Sequence, residues 1–326
     1  MSTLKTIYLQ HLNGSSPSIS FSSNGDMTIT GNVFYTKALT STPANNNYSI
    51  EYVIVGGGGA GGYRYGGGGA GGYLSSVVGE MSGGGQPARP VFWVSSGSSY
   101  TVTIGAGAAG NSTSAAGHGA NGSNSSFSTL VAYGGGGGSL GGTSSSSDPL
   151  MRGWAGGCGG GSSGDGWGSG NVPGGYGTFA QGFDGGYGWD QSGNNNGGGG
   201  GGAGGPGFDT GNNVDAVGNG GKGVQTNISG TPTWYSGGGA GSCQNGNKAV
   251  PGRGGGAYYR QSGSTNTGGG GGSGLDTSSG GGGSGIVIVR YANATQRGTG
   301  GTVTSATIDG VTYWIHTFTS SSTFTA

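Results

Sequence analysis

Charge is what this chain has least of. Only 7% of its 326 residues are Asp, Glu, Lys or Arg, with 11 of each sign and no net charge. Residues 90–147 contain none of the four. A nucleic-acid-binding protein needs clustered Lys and Arg to displace counterions from phosphates, so that class is set aside. Cysteine is scarce too. Cys158 and Cys243 are too few for a disulfide scaffold and form no C-x-x-C metal pair. They allow one long-range disulfide; two free thiols are the expectation for a chain made in a cytoplasm. No apolar run approaches the ~20 residues of a membrane span. The opening MSTLKTIYLQHLNG lacks the apolar core of a signal peptide. Helix signals are missing as well: the glycine-poor stretch YLSSVVGEM at 73–81 is interrupted by Gly79 and paired serines. These absences predict a soluble, non-helical chain that neither enters a membrane nor carries a targeting segment.

What the chain has instead is glycine, 91 residues of it. Only seven of these lie in residues 1–55 and 286–326, leaving 84 among the 230 positions of 56–285. Such a composition often signals disorder, but 16 Tyr, 9 Phe and 6 Trp are far more aromatic side chains than disordered tracts carry. Both ends read as strands. The stretch 18–35 holds two short runs around Asn24-Gly25, a hairpin signal. SIEYVIV (49–55) and IVIVRY (286–291) are nearly continuous apolar runs, which suit strands covered on both faces. YTVTI (100–104) alternates and should be half exposed, and FSTLVAY (127–133) and VTYWIHTF (311–318) complete the set.

Inside the insert, GGGGAGGY occurs at 56–63 and again at 66–73. Gly57, Gly59 and Gly62 fit the G-x-G-x-x-G dinucleotide fingerprint. That loop works by leading into a helix whose N-terminus holds a pyrophosphate. Here YRYGGGGAGGY follows, and each glycine costs a helix ~1 kcal/mol, so no cofactor site is expected. The alternative is geometric. Glycine runs adopt an extended helix with three residues per turn and no internal hydrogen bonds. Every buried N–H and C=O then needs a partner on another run, and the lack of Cβ atoms lets runs approach closely enough to supply one. Ordering a residue costs ~1–2 kcal/mol against ~0.5–1.5 kcal/mol net per hydrogen bond. Such a bundle should need the β ends as a clamp and aromatic rings as edge fillers.

The segments EYVIVGGGGAGG, YTVTIGAGAAG, GSNSSFSTLVAYGGGGG, GGSGIVIVRY and YWIHTFTSSSTFTA, in that order, resemble the glycine-rich domain of tailed-phage tail-fibre and other virion proteins. The likeness covers residue 49 to the C-terminus; MSTLK resembles the start of cyanophage virion proteins. The resemblance implies a mainly β fold, a β-sandwich-like frame with a large inserted bundle of polyglycine-II helices. Residues 1–48 would be a small β attachment or oligomerisation module. Residues 49–326 would be the glycine-rich domain, with the frame at 49–55, 91–133 and 286–326 and the bundle mainly at 56–90 and 134–285. It also implies a virion location on an exterior appendage, contacts with other tail proteins through the N-terminal module, and a homotrimer.

For catalysis the chain is poor, and no enzyme, cofactor or metal is expected. His11, His118 and His316 are scattered. Asp165, Asp184, Asp190, Asp209 and Asp215 sit in Gly/Asn-rich loops and read as turn formers; a calcium role has no EF-hand-like spacing behind it. The aromatic residues point further. Trp154, Trp167, Tyr176, Phe179, Phe183, Tyr187 and Trp189 cluster among glycine, Asp and Asn, with Trp234-Tyr235 and Tyr258-Tyr259 as later pairs. Their rings suit exposed binding surfaces, where a sugar could stack while Asp and Asn bond its hydroxyls. For any single ring the favoured reading is that it caps or fills the side of the bundle, with some of the set expected to be exposed. The resulting expectation is an adhesin that binds a host surface glycan or protein through loops at the bundle ends. A purely structural fibre, spike or decoration protein is the alternative. An ice-binding protein is a weaker one, since the loops lack regular Thr spacing.

Overall fold

The structure, a computed structural model, describes residues 18–21, 27–30, 47–111, 117–141, 151–164, 170–191, 194–211, 218–243, 249–275 and 278–326. The chain divides into two units, Met1–Asn46 and Asn47–Ala326. In the first, β1 (Ser18–Phe21) pairs antiparallel with β2 (Met27–Thr30), Ser18 opposite Thr30 and Phe21 opposite Met27. The Asn24-Gly25 signal and the remainder of the expected attachment module lie outside the described residues.

The second unit is a β frame with glycine runs inserted into it. Its strands are β3 (Tyr48–Val55), β4 (Tyr73–Ser75), β5 (Phe92–Val94), β6 (Ser99–Thr103), β7 (Ser125–Phe127), β8 (Leu130–Ala132), β9 (Gly170–Val172), β10 (Gly188–Gln191), β11 (Asn194–Asn196), β12 (Val224–Thr226), β13 (Thr233–Tyr235), β14 (Ile286–Ala292), β15 (Thr302–Ile308), β16 (Val311–Phe318) and β17 (Ser322–Thr325). One open sheet runs β15-β16-β14-β3-β4, with β5 also on β3; a second runs β17-β6-β7-β8. Among the described residues there is no α-helix; Gly83–Gly85 form a three-residue 3-10 turn.

The apolar runs form the centre of this frame because both of their faces are covered. Ile50, Tyr52 and Ile54 of β3, with Val287 and Val289 of β14, meet Val102, Phe127 and Phe324 of the second sheet. Val53, Val55, Ile286 and Ile288 point the other way, onto Ala70, Cys158 and Ala203 of the glycine region and onto Val224 and Tyr235 of the β12–β13 hairpin. Fully burying one such aliphatic side chain contributes ~1.5–3 kcal/mol. The hairpin is tied down by charge as well. Arg290 is buried on β14, donates through Nε to Glu51 at 2.7 Å and through Nη1 to the Asn227 and Ile228 carbonyls, and lies 4.5 Å from the Tyr313 ring.

The glycine region is built by backbone bonds that repeat every third residue. Along 56–62, Gly56, Gly59 and Gly62 donate to Gly72, Gly69 and Gly66 on one neighbouring run. Gly57 and Ala60 donate to Ser123 and Ala120 on a second, and Gly58 and Gly61 to Gly283 and Gly280 on a third. The carbonyls of Gly57 and Ala60 accept from Gly135 and Gly138, those of Gly59 and Gly62 from Gly271 and Gly274, and that of Gly58 from Ala108. Six segments thus surround one run, and its seven donated bonds measure 2.8–3.0 Å. An added Cβ at Gly58, Gly59 or Gly61 would fall within 3.0 Å of the carbonyl oxygen of Gly269, Gly136 or Gly272. The fingerprint glycines 57, 59 and 62 spend their N–H groups on protein carbonyls, which leaves none for a phosphate. Two stretches inside the expected frame segment 91–133 join this region instead: Ala108 bonds to Gly58, and Gly119 and Gly122 bond to Gly138 and Gly135.

Candidate ligand-binding surface

At the outer runs the three-residue repeat leaves one direction without a neighbour, and polar side chains fill it. Asn124 and Asn121 accept through Oδ1 from the N–H groups of Gly134 and Gly137, both at 2.9 Å. Asp184 accepts from Gly177 at 2.7 Å and Asp209 from Tyr187 at 2.8 Å. Gln181 bridges two groups, accepting from Tyr133 N–H and donating to the Val131 carbonyl. The loop carboxylates therefore close the edge of the bundle. They bond a neighbouring run rather than their own turn, because the orphan donors lie there. Asp165 and Asp215 lie outside the described residues, as does the side chain of Asp190.

The aromatic candidates separate into three groups. Phe179, Tyr176, Trp154, Tyr258 and Tyr187 are exposed, Phe179 by 84%, Tyr176 by 62% and Trp154 by 51%. Phe183, Trp189, Trp234 and Tyr259 are half-buried. Tyr235 is a correction to the expected set. At 6% exposure it packs into the inner apolar cluster beside Val224 and Ile228, and burial raises its pKa, so it holds the hairpin to the frame. Trp167 lies outside the described residues. Phe208, 59% exposed, was missed. Its signal was the repeated Gly-Phe-Asp, at 182–184 and 207–209, in which each Asp closes a bundle edge.

Two of the exposed rings meet in one place. Shallow hollows of about 260 and 440 Å³ flank Trp154. The smaller is lined by Arg152, Trp154, Tyr176 and His118, and the larger shares His118 and Trp154. His118 meets the indole edge-on, ring centroids 5.0 Å apart, and the Arg152 guanidinium sits 5.6 Å from the Tyr176 ring centre. Trp154 is not in an end loop. Its N–H donates to Gly137 and its carbonyl accepts from Gly160, so the ring projects from the flank of the bundle. Arg152 and His118 carried no binding signal in the sequence, because the runs that bring them together are not neighbours in the chain.

The buried group around His316 is structural. His316 is fully buried, with Nδ1 2.8 Å from the Gly300 carbonyl and Nε2 3.2 Å from the Tyr291 hydroxyl. That hydroxyl accepts from the N–H groups of Arg297 and Gly298, so its own proton goes to Nε2 and His316 holds its proton on Nδ1. Burial lowers the His316 pKa below 6.5, against a smaller opposing effect of the Gly300 carbonyl. Cys158 and Cys243 are buried and not joined in a disulfide, and burial pushes the Cys158 thiol up to about 12. Among the described residues no three His, Cys, Asp or Glu side chains could hold a metal, and no helix is long and apolar enough to cross a membrane.

The model of the glycine-rich domain family matches residues 34–292. That is most of the chain, which therefore belongs to the glycine-rich domain family. No curated protein and no solved structure matches it. The family match ends with β14, while β15, β16 and β17 continue both sheets of the frame beyond it.

Proposed function

We propose that this chain is an exterior virion protein of a tailed phage, a tail-fibre or tail-tip adhesin that presents aromatic rings to a host-cell surface glycan or protein. One observation carries the reading. A bundle whose interior is satisfied by backbone bonds, and which is nearly free of charge, turns Trp154, Tyr176, Phe179, Tyr187 and Tyr258 outward. Rings in that position fill no interior space, and exposed clusters of them mark interaction sites. Membership of the glycine-rich domain family supports the reading, and so does the resemblance of the ordered segments to phage fibre proteins. The hydrogen-bond period of three supports reading the runs as polyglycine-II helices. NMR shifts should then place their backbone at φ about −75° and ψ about +145°.

Unit 1 would attach the protein to other tail components, and the assembled form would be a homotrimer. Light scattering on the full chain tests this, and the mass of a single chain at micromolar concentration would count against it. The functional test is adsorption of purified protein to host cells and to the same cells stripped of surface polysaccharide. Adsorption that disappears on stripping supports a glycan-binding adhesin. No adsorption to any cell returns the protein to a purely structural place in the virion.

A further inference from the structure

We propose that the hollow formed by Arg152, Trp154, Tyr176 and His118 is a binding site for an acidic sugar residue, its ring against Trp154 and its carboxylate on Arg152. The inference rests on the adhesin reading only for the source of the sugar, a surface polysaccharide; the chemistry of the site stands by itself.

The first argument is the ring. Trp154 is half exposed and has open space on both sides, about 260 and 440 Å³, enough for consecutive sugar units to lie along it. Its backbone is bonded on both sides, to Gly137 and Gly160, so the ring stands on a fixed base. The second is the polar lining. Elsewhere on the bundle edge, side chains take up the orphan N–H groups, as Asn124, Asp184 and Asp209 do. Around this hollow, the N–H groups of Gly153, Ala155, Gly174 and Tyr176 bond to no described residue. A sugar offers an apolar face of C–H groups to an indole and hydroxyl oxygens to donors at its rim, which is the complement of this lining. The third is charge. Arg152 is the only side chain of permanent charge in the lining, and it makes no ion pair with a described residue. A guanidinium offers a carboxylate two parallel donors. A nucleic acid would demand several cations here, and a protein partner ~800 Å² of surface; one cation beside one Trp fits a single acidic ring.

The test uses the full chain and three acidic probes, trigalacturonate, sialyllactose and a heparin tetrasaccharide, with maltotriose as the neutral control. Binding is read by tryptophan fluorescence and calorimetry. The expected result is that at least one acidic probe binds, that maltotriose does not, and that added salt weakens binding. Arg152→Gln should weaken it about tenfold, which corresponds to ~1.4 kcal/mol. Trp154→Ala should weaken it at least as much. Trp154→Leu, which keeps an apolar side chain but no flat face, guards against a folding defect, and the melting temperature of each variant is compared with wild type. Failure of all three acidic probes, or equal binding of maltotriose, overturns the proposal. So does undiminished binding by Trp154→Leu. Cell adsorption separates this from the broader reading. Adsorption by a protein that binds none of the probes overturns the hollow and leaves the adhesin standing. Probe binding lost in both variants supports the hollow even where no cell is adsorbed.

Discussion

A single carbon atom separates glycine from alanine, and the bundle should register it position by position. At Gly59 an added Cβ would meet the Gly136 carbonyl, at a point where Gly59 itself bonds to Gly69 and Gly271. Overpacking costs about 1–3 kcal/mol, and each buried group left unpaired ~1–3 kcal/mol more. Gly59→Ala should therefore lower the melting temperature by many degrees. Gly211→Ala is the matched control, since nothing lies within 4 Å of its added Cβ; it should melt like wild type. Equal behaviour of the two would refute the packing account. His316 gives a second residue-scale expectation. Its pKa is lowered on folding, so its contribution is complete above 6.5 and is lost as pH falls below that value through the depressed folded pKa. The melting temperature should fall over that acid range in wild type and fall less in His316→Gln, which has no proton to gain.

Elements with a strong pattern were legible, and those without one were not. β3 and β14 could be read because apolar residues fill both faces. The glycine runs could be read because nothing else packs without Cβ atoms. β15, TVTSATI, carries no continuous apolar face and lies mostly exposed on β16; its strand state comes from pairing, which sequence periodicity does not report. β9, β10 and β11 are spelled GNV, GWDQ and NNN, dominated by Gly, Asn and Asp, which disfavour strands locally, and the three strands are held by one another. The candidate surface was half legible: the rings stood out, but their sorting into exposed and buried depended on which runs adjoin. One contact between elements has a definite expected effect. Arg290→Met would leave the Glu51 carboxylate without its cation and free the Asn227 and Ile228 carbonyls that anchor the β12–β13 hairpin. Breaking one partner of such a pair costs about 3–5 kcal/mol, readable in urea unfolding. Adding Glu51→Gln should recover part of the loss.

At the scale of the whole molecule, the glycine region enters and leaves through the frame. β3 begins the second unit at Tyr48 and β17 closes it at Thr325, and every glycine run lies between them in the chain. Phe324 seals that closure from a fully buried position, edge-on to His316 at 5.1 Å. Phe324→Ala should cost about 3–5 kcal/mol and expose the core between the sheets, seen as earlier melting of the whole unit. The same arrangement fixes how the protein bears tension. A pull applied at the two ends of the unit is taken up by β3 and β17 and passed between sheets, while the glycine runs hang as an unloaded loop behind them. In a force-extension trace, the first rupture should be that of the frame. Only then would the stored length of the bundle pay out, so the unit stays short under load until its strands give.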